Sequence, residues 1–135
     1  MNEVKTIEMR TLRLLEGRFA ICRLGPDAPL PDALLRAKGA VYSVTRTPGE
    51  LSVVCLEDLA PTDAGPCERG WRMLLLEGPI PFEAVGVLAA MVGPLAAAQV
   101  PVFALSTFDT DALMVRERDL ERALSTLGRT HRVLP

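Results

Sequence analysis

The chain has 135 residues, about one ordinary domain, and 49% of them are hydrophobic against 24% charged, a balance that excludes intrinsic disorder. Lysine and arginine number 15 against 17 aspartates and glutamates, so the formal net charge of -2 lacks the basic excess on which sequence-independent nucleic-acid binding rests. Cys22, Cys55 and Cys67 show no C-x-x-C spacing and the first residues show no apolar stretch behind a basic start, so a reduced thiol set in the cytoplasm is expected.

In chain order, residues 1–10 read as a tail. The apolar run Phe19 to Leu24 predicts a strand, ended by Gly25-Pro26, and Pro31 to Lys38 predicts a short helix with Leu34 and Leu35 as its apolar contacts. Val41 to Val44 and Leu51 to Leu56 flank Arg46-Thr47-Pro48-Gly49-Glu50, which reads as a β-hairpin. Ala60 to Arg69 is rich in breakers, has no period and reads as a linker. A second strand, Trp71 to Leu76, ends in Glu77-Gly78-Pro79-Ile80-Pro81. From about Phe82 to Gln99, Val85, Leu88, Val92, Leu95 and Ala96 recur at spacings of three and four, predicting a helix that Pro94 should kink. Val102 to Leu105 and Ala112 to Val115 predict a second hairpin. Asp119 is then placed to cap a helix through Leu120, Ala123, Leu124 and Leu127, with Gly128 as a left-handed stop and His131 to Leu134 as a final strand.

Ala84 to Phe108 carries no charge and exceeds the roughly 20 residues a bilayer requires. Gly86, Gly93, Pro94, Gln99 and Pro101 interrupt it, and its apolar residues are largely alanine, so a buried helix running into a buried strand is expected instead of a membrane span.

The order strand, helix, strand, strand occurs twice. Ala40 to Leu59 lies without gaps over Pro101 to Leu120, both ending in Asp-Leu. The resulting βαββ, linker, βαββαβ order is the split-βαβ arrangement, with helices on one face of an antiparallel sheet. Such a sheet leaves an uncovered face or edge that pairing with a second copy covers.

Two segments of the second copy carry candidate chemistry. The turn Glu77-Gly78-Pro79-Ile80-Pro81-Phe82-Glu83 precedes a helix start, whose free amides and dipole favour a carboxylate, and Gly78 permits close approach to the main chain. Gly-Pro and Pro81 also serve simply to turn the chain and begin a helix. The hairpin Ser106-Thr107-Phe108-Asp109-Thr110-Asp111 gathers two carboxylates, three hydroxyls and a ring, a set suited to an ammonium or guanidinium. The same residue types bond locally in ordinary turns. No catalytic constellation, metal-ligand spacing or phosphate loop is legible: the single histidine, His131, reads as an exposed side chain, and Cys22 and Cys55 fall in apolar strands.

Gly70 to Pro79 (Gly-Trp-Arg-Met-Leu-Leu-Leu-Glu-Gly-Pro), Ala104 to Asp111 and Leu113 to Leu120 resemble small bacterial ACT-domain proteins, and the resemblance extends through Leu15 to Leu24 and Tyr42 to Thr47. It reaches the ACT modules of the eukaryotic cytosolic arginine sensor and of aspartate kinase regulatory regions. It implies an α+β fold of two ferredoxin-like modules: a tail (1–10), an abbreviated module (11–59), a linker (60–69) and a complete module (70–135). It further implies a cytoplasmic regulatory protein, not an enzyme, without cofactor or metal, that holds a free amino acid at an interface between ACT modules. Thr107, Phe108 and Asp111 correspond to hairpin residues that hold the ligand in the sensor, with Ser106 and Asp109 beside them, and Glu77 and Gly78 occupy the loop lining the same pocket. Because the sensor has more modules per chain, the resemblance implies a homodimer here, with the downstream protein left open; from the charge balance and the interrupted apolar run, no nucleic acid and no membrane are expected as partners. The alternative is a homodimeric interaction module that docks on an enzyme or transporter without binding an effector.

Overall fold

The computed structural model describes residues 9–62 and 65–135. Glu16–Met73 form one compact unit; the residues up to Leu15 together with Leu74–Pro135 form a second. The residues expected as a tail lie largely outside the described ones.

The first unit contains β2 (Phe19–Leu24), α1 (Asp32–Arg36), β3 (Ser43–Thr47), β4 (Glu50–Leu56) and the beginning of β5 (Cys67–Leu76). The expected hairpin forms: β3 and β4 pair antiparallel from Ser43↔Val54 to Thr47↔Glu50, leaving Pro48-Gly49 as the two-residue turn. Leu51, Val53 and Cys55 alternate along β4 and pack with Leu34 of α1, so the helix covers one face. The expected helix over Pro31 to Lys38 shrinks to five residues because Ala37 is already extended. The expected linker also ends early. Arg23 and the 65–66 segment exchange backbone hydrogen bonds, and Cys67–Arg69 belong to β5.

The reduced-thiol expectation is corrected for two cysteines. Cys22 and Cys67 are 45 residues apart in sequence but directly opposite in the β2–β5 pairing, where they are joined in a disulfide. Cys55 is the free thiol; burial pushes its pKa up, against an opposing pull from Arg69.

The second unit holds β1 (Thr11–Leu14), the end of β5, α2 (Val87–Ala97), β6 (Val102–Ser106), β7 (Asp111–Arg116), α3 (Leu120–Leu127) and β8 (Arg132–Leu134). The strand β1 pairs antiparallel with β5 (Leu12↔Leu76) and parallel with β8 (Leu12↔Val133), so the sheet is mixed, not purely antiparallel as expected. Leu74 and Leu76 of β5 and Leu113 and Val115 of β7 alternate, and they share one buried cluster with Leu12, Met91 and Leu95 of α2 and Ala123 and Leu127 of α3. Both helices therefore lie on one face of the sheet. Among the described residues no helix is long and apolar enough to cross a membrane.

Several local expectations are revised. The helix α2 begins at Val87 instead of Phe82, because Gly86 adopts a left-handed φ of 81° that ends the preceding turn. Pro94 lies inside α2, which continues past it to Ala97. Asp119 precedes α3 but makes no cap; its Oδ1 accepts from Arg122 Nη2 at 2.7 Å. Gly128 is right-handed, with φ -62°. The two hairpins and their following 3-10 turns superpose with a shift of 60 residues, since Ser43↔Val54 maps onto Phe103↔Met114 and Glu57–Leu59 onto Glu117–Asp119. The gapless overlay of letters, Ala40 on Pro101, is one residue out of step, which exchanges the two faces of each strand.

His131 is buried, not exposed. Its backbone N–H donates to the Leu127 carbonyl at 2.8 Å and its Nδ1 lies 2.9 Å from Thr130 Oγ1. Burial lowers its pKa from the ordinary 6.5, hydrogen bonding of the ring to the Leu127 backbone works against that, and Arg10 adds to the lowering. The unfolded chain then takes up the proton first as pH falls below about 6.5, so the stability present above that pH is progressively lost down to the folded pKa. Melting temperatures measured from about pH 7.5 to about pH 5 should fall more steeply for the wild type than for His131→Gln. Equal slopes would contradict this account of the buried imidazole.

Candidate functional site

The second hairpin differs from the first in its turn. Ser106↔Asp111 is the last ladder pair of β6 and β7, and Thr107 to Thr110 close the loop by their own bonds. Thr107 N–H donates to the Thr110 carbonyl at 2.8 Å, and Thr107 Oγ1 lies 3.2 Å from both Thr110 N and Thr110 O. Such hydroxyl-to-backbone bonding holds a turn without glycine. Phe108, at the tip, is 79% exposed. Ser106 Oγ donates to Asp111 Oδ1 at 2.7 Å, which orients the carboxylate.

The segment following β5 is tied to this turn. Ile80 N–H donates to the Asp109 carbonyl at 2.6 Å, and Thr110 Oγ1 donates to the Leu76 carbonyl at 2.6 Å. Gly78, followed by a cis peptide to Pro79, runs so close that a Cβ there would sit 2.7 Å from the Asp109 carbonyl oxygen. Beyond it, Ala84 N–H donates to the Pro81 carbonyl at 3.0 Å, which brings Phe82 against Phe108 edge to face, ring centroids 4.8 Å apart.

These segments and the start of α2 enclose a groove of about 390 Å³, within the usual range for small-molecule sites. One wall is Ile80, Phe82, Gly86 and the first residues of α2, Val87, Leu88 and Ala89; the other is Ser106, Thr107, Phe108 and Asp111. No side chain caps α2. Its leading amides have no partner within the helix and carry the positive end of the dipole. Asp111 is the only ionisable side chain among the lining residues.

Of the residues singled out in the sequence, Ser106, Thr107, Phe108 and Asp111 line this groove, whereas Glu77, Gly78 and Asp109 do not. Gly78 and Asp109 act behind the wall, through close approach and the Ile80 bond; Glu77 is exposed, with its N–H donating to the Thr11 carbonyl at 2.8 Å. Sequence reasoning missed Phe82, Gly86 and Val87 to Ala89 as lining residues. The helical period over Phe82 to Gln99 concealed them, although Gly86 in an apolar run signalled a break. Among the described residues no cluster of histidine, cysteine, aspartate and glutamate could hold a metal ion.

The first unit treats the corresponding turn differently. At the shift of 60, Ser106 corresponds to Arg46, whose guanidinium donates to the Pro26 and Ala28 carbonyls, while Arg23 Nη2 donates to the Gly49 carbonyl at 3.0 Å. Arginine side chains thus bind its loop and hairpin together where the second unit has hydroxyls and a carboxylate.

The ACT domain family matches residues 67–129, and a second family, described as an N-terminal domain, matches residues 17–63. The crystal structure of protein Atu0741 from Agrobacterium tumefaciens is 34% identical, covers 95% of this chain and 94% of that one, and superposes with a TM-score of 0.84. The human cytosolic arginine sensor for mTORC1 subunit 1 is 37% identical over 60 residues, 44% of this chain and 18% of the sensor, so the match spans under a fifth of that protein's length. The regulatory subunit of aspartate kinase from Thermus thermophilus shares the fold at 14% identity, with a TM-score of 0.63 over 88% of this chain and 95% of that one.

Proposed function

We propose that this chain, whose residues 67–129 match the ACT domain family, is a cytoplasmic regulatory protein that binds a free amino acid in the groove of its second unit. The observation that carries the reading is the composition of the two walls: uncapped helix amides on one, and a carboxylate oriented by Ser106 on the other. A zwitterion matches both. Its carboxylate takes hydrogen bonds from the Val87 to Ala89 amides, as anions do at helix starts, and its ammonium takes charge-assisted bonds from Asp111 and the Thr107 hydroxyl. Glu77 lies outside the lining and does not oppose the carboxylate. That the related human protein is a cytosolic arginine sensor supports an amino-acid effector and a cytoplasmic setting.

We assign the protein no catalytic step. Its output is a change in contacts with a downstream protein, and a homodimer completes the site, because Phe82, Val85 and Phe108 stand exposed near the mouth. Those exposed residues also favour the second reading, a docking module that needs no effector. A thermal-melt screen of the full chain against the standard amino acids separates the two. A ligand at a hundred times its dissociation constant stabilises by about 2.7 kcal/mol, a rise of several degrees. A screen in which no amino acid raises the melt favours docking. Sedimentation with the effector present should give a dimer; a monomer at high concentration would contradict the shared site.

A further inference from the structure

We infer that the effector is an amino acid whose side chain carries no negative charge, and that Phe82 and Phe108 grip that side chain. This rests on the amino-acid reading above and narrows it.

The charge inventory of the segments that build the groove is one-sided. Between Arg72 and Arg116 the chain has no lysine, arginine or histidine, while Glu77, Glu83, Asp109 and Asp111 all fall there. Of the residues lining the groove itself only Asp111 ionises, and it is acidic. The start of α2 is thus the one feature in the lining that attracts negative charge, and the effector's α-carboxylate takes it. A second carboxylate on the side chain, as in aspartate or glutamate, would meet no cation among these lining residues and would add negative charge to a groove that already holds Asp111, where like charges repel. The corresponding amides, asparagine and glutamine, have nearly the same shape without that penalty.

What the groove offers a side chain is aromatic. Phe82 is 71% and Phe108 79% exposed, an unusual investment for two phenylalanines unless something covers them. Their edge-to-face arrangement at 4.8 Å leaves ring surface free for a further contact. Both are held in place from behind, Phe108 by the Thr107–Thr110 turn and Phe82 by the Ile80–Asp109 and Ala84–Pro81 backbone bonds. Such a pair accepts methyl and methylene groups, and its ring faces tolerate a cationic end.

Calorimetric titration of the full chain tests both parts. Asparagine and glutamine should each bind about tenfold or more tightly than aspartate and glutamate, and the best binder should come from the apolar or basic amino acids. Phe82→Ala and Phe108→Ala should each weaken that best binder by about tenfold while changing the affinity for glycine, which has no side chain to grip, by less than about twofold. Acids that bind as tightly as their amides would overturn the charge argument with unmodified protein, whatever the variants do. Variants that weaken glycine as much as the best binder would overturn the role of the rings. If no amino acid binds at all, the amino-acid reading itself falls; binding led by aspartate or glutamate removes only this narrowing of it.

Discussion

Asp111→Ala should cut the ligand-induced rise in melting temperature to about half or less while leaving the unliganded melt nearly where it was. The carboxylate begins β7 on the groove wall, and it accepts a hydrogen bond from Ser106 Oγ, an exposed hydroxyl that water can satisfy once the partner is gone. The structural cost should therefore stay below about 1 kcal/mol, as for most exposed substitutions. The effector, in contrast, loses its only charged partner in the lining. A hydrogen bond to a charged group is worth about 1.5 to 3 kcal/mol, so affinity should fall by about tenfold to a hundredfold. Asp111→Asn, which keeps an acceptor but no charge, should fall between. Full retention of the shift in Asp111→Ala would place the ammonium elsewhere, and a collapsed melt would make Asp111 a turn residue.

Gly78→Ala should destabilise the second unit and weaken effector binding together. A Cβ at this position would stand 2.7 Å from the Asp109 carbonyl oxygen and 3.2 Å from Thr110 Cβ. Neither neighbour can give way cheaply. The Asp109 carbonyl accepts from Ile80 N–H, and Thr110 is tethered through its hydroxyl to the Leu76 carbonyl. Relief requires the loop and hairpin to separate, which costs about 1 to 3 kcal/mol, the range for overpacked sites, and moves one groove wall away from the other. Gly93 supplies the control. It lies within α2 with open space where its Cβ would be, so Gly93→Ala should stabilise by about 0.4 to 1 kcal/mol. A Gly78→Ala protein that melts like the wild type would contradict the tight approach of loop and turn.

The parts of this architecture that were legible in the letters are those set by local pattern. Both hairpins are bounded by turn residues and follow the alternation of Leu51, Val53 and Cys55 or of Leu113 and Val115. The polar turn from Ser106 to Asp111 was visible because ordinary turning does not require so many oxygens. What escaped depends on distant neighbours. Thr11 to Leu14 became β1 because it pairs with Leu74 to Leu76 and with β8, partners 60 or more residues away. Cys22 and Cys67 met for the same reason. His131 looked exposed beside Thr130 and Arg132, yet the packing of the second unit buries it. The helical period through Phe82 and Val85 was sound as a pattern but stopped short in space, because the backbone turns at Gly86; of the two displaced residues, Phe82 joined one wall of the groove and Val85 stands exposed.

The claim on which the account stands is that one groove, between the start of α2 and the β6–β7 turn, receives both ends of a free amino acid. Amide NMR of the full chain, titrated with the amino acid that most raises its melting temperature, tests this directly. The largest shift changes should fall on Val87, Leu88 and Ala89 and on Thr107, Phe108, Thr110 and Asp111. Changes centred instead on the groove lined by Pro94, Arg122 and Arg129, or on that lined by Leu24, Leu30 and Leu59, would contradict it.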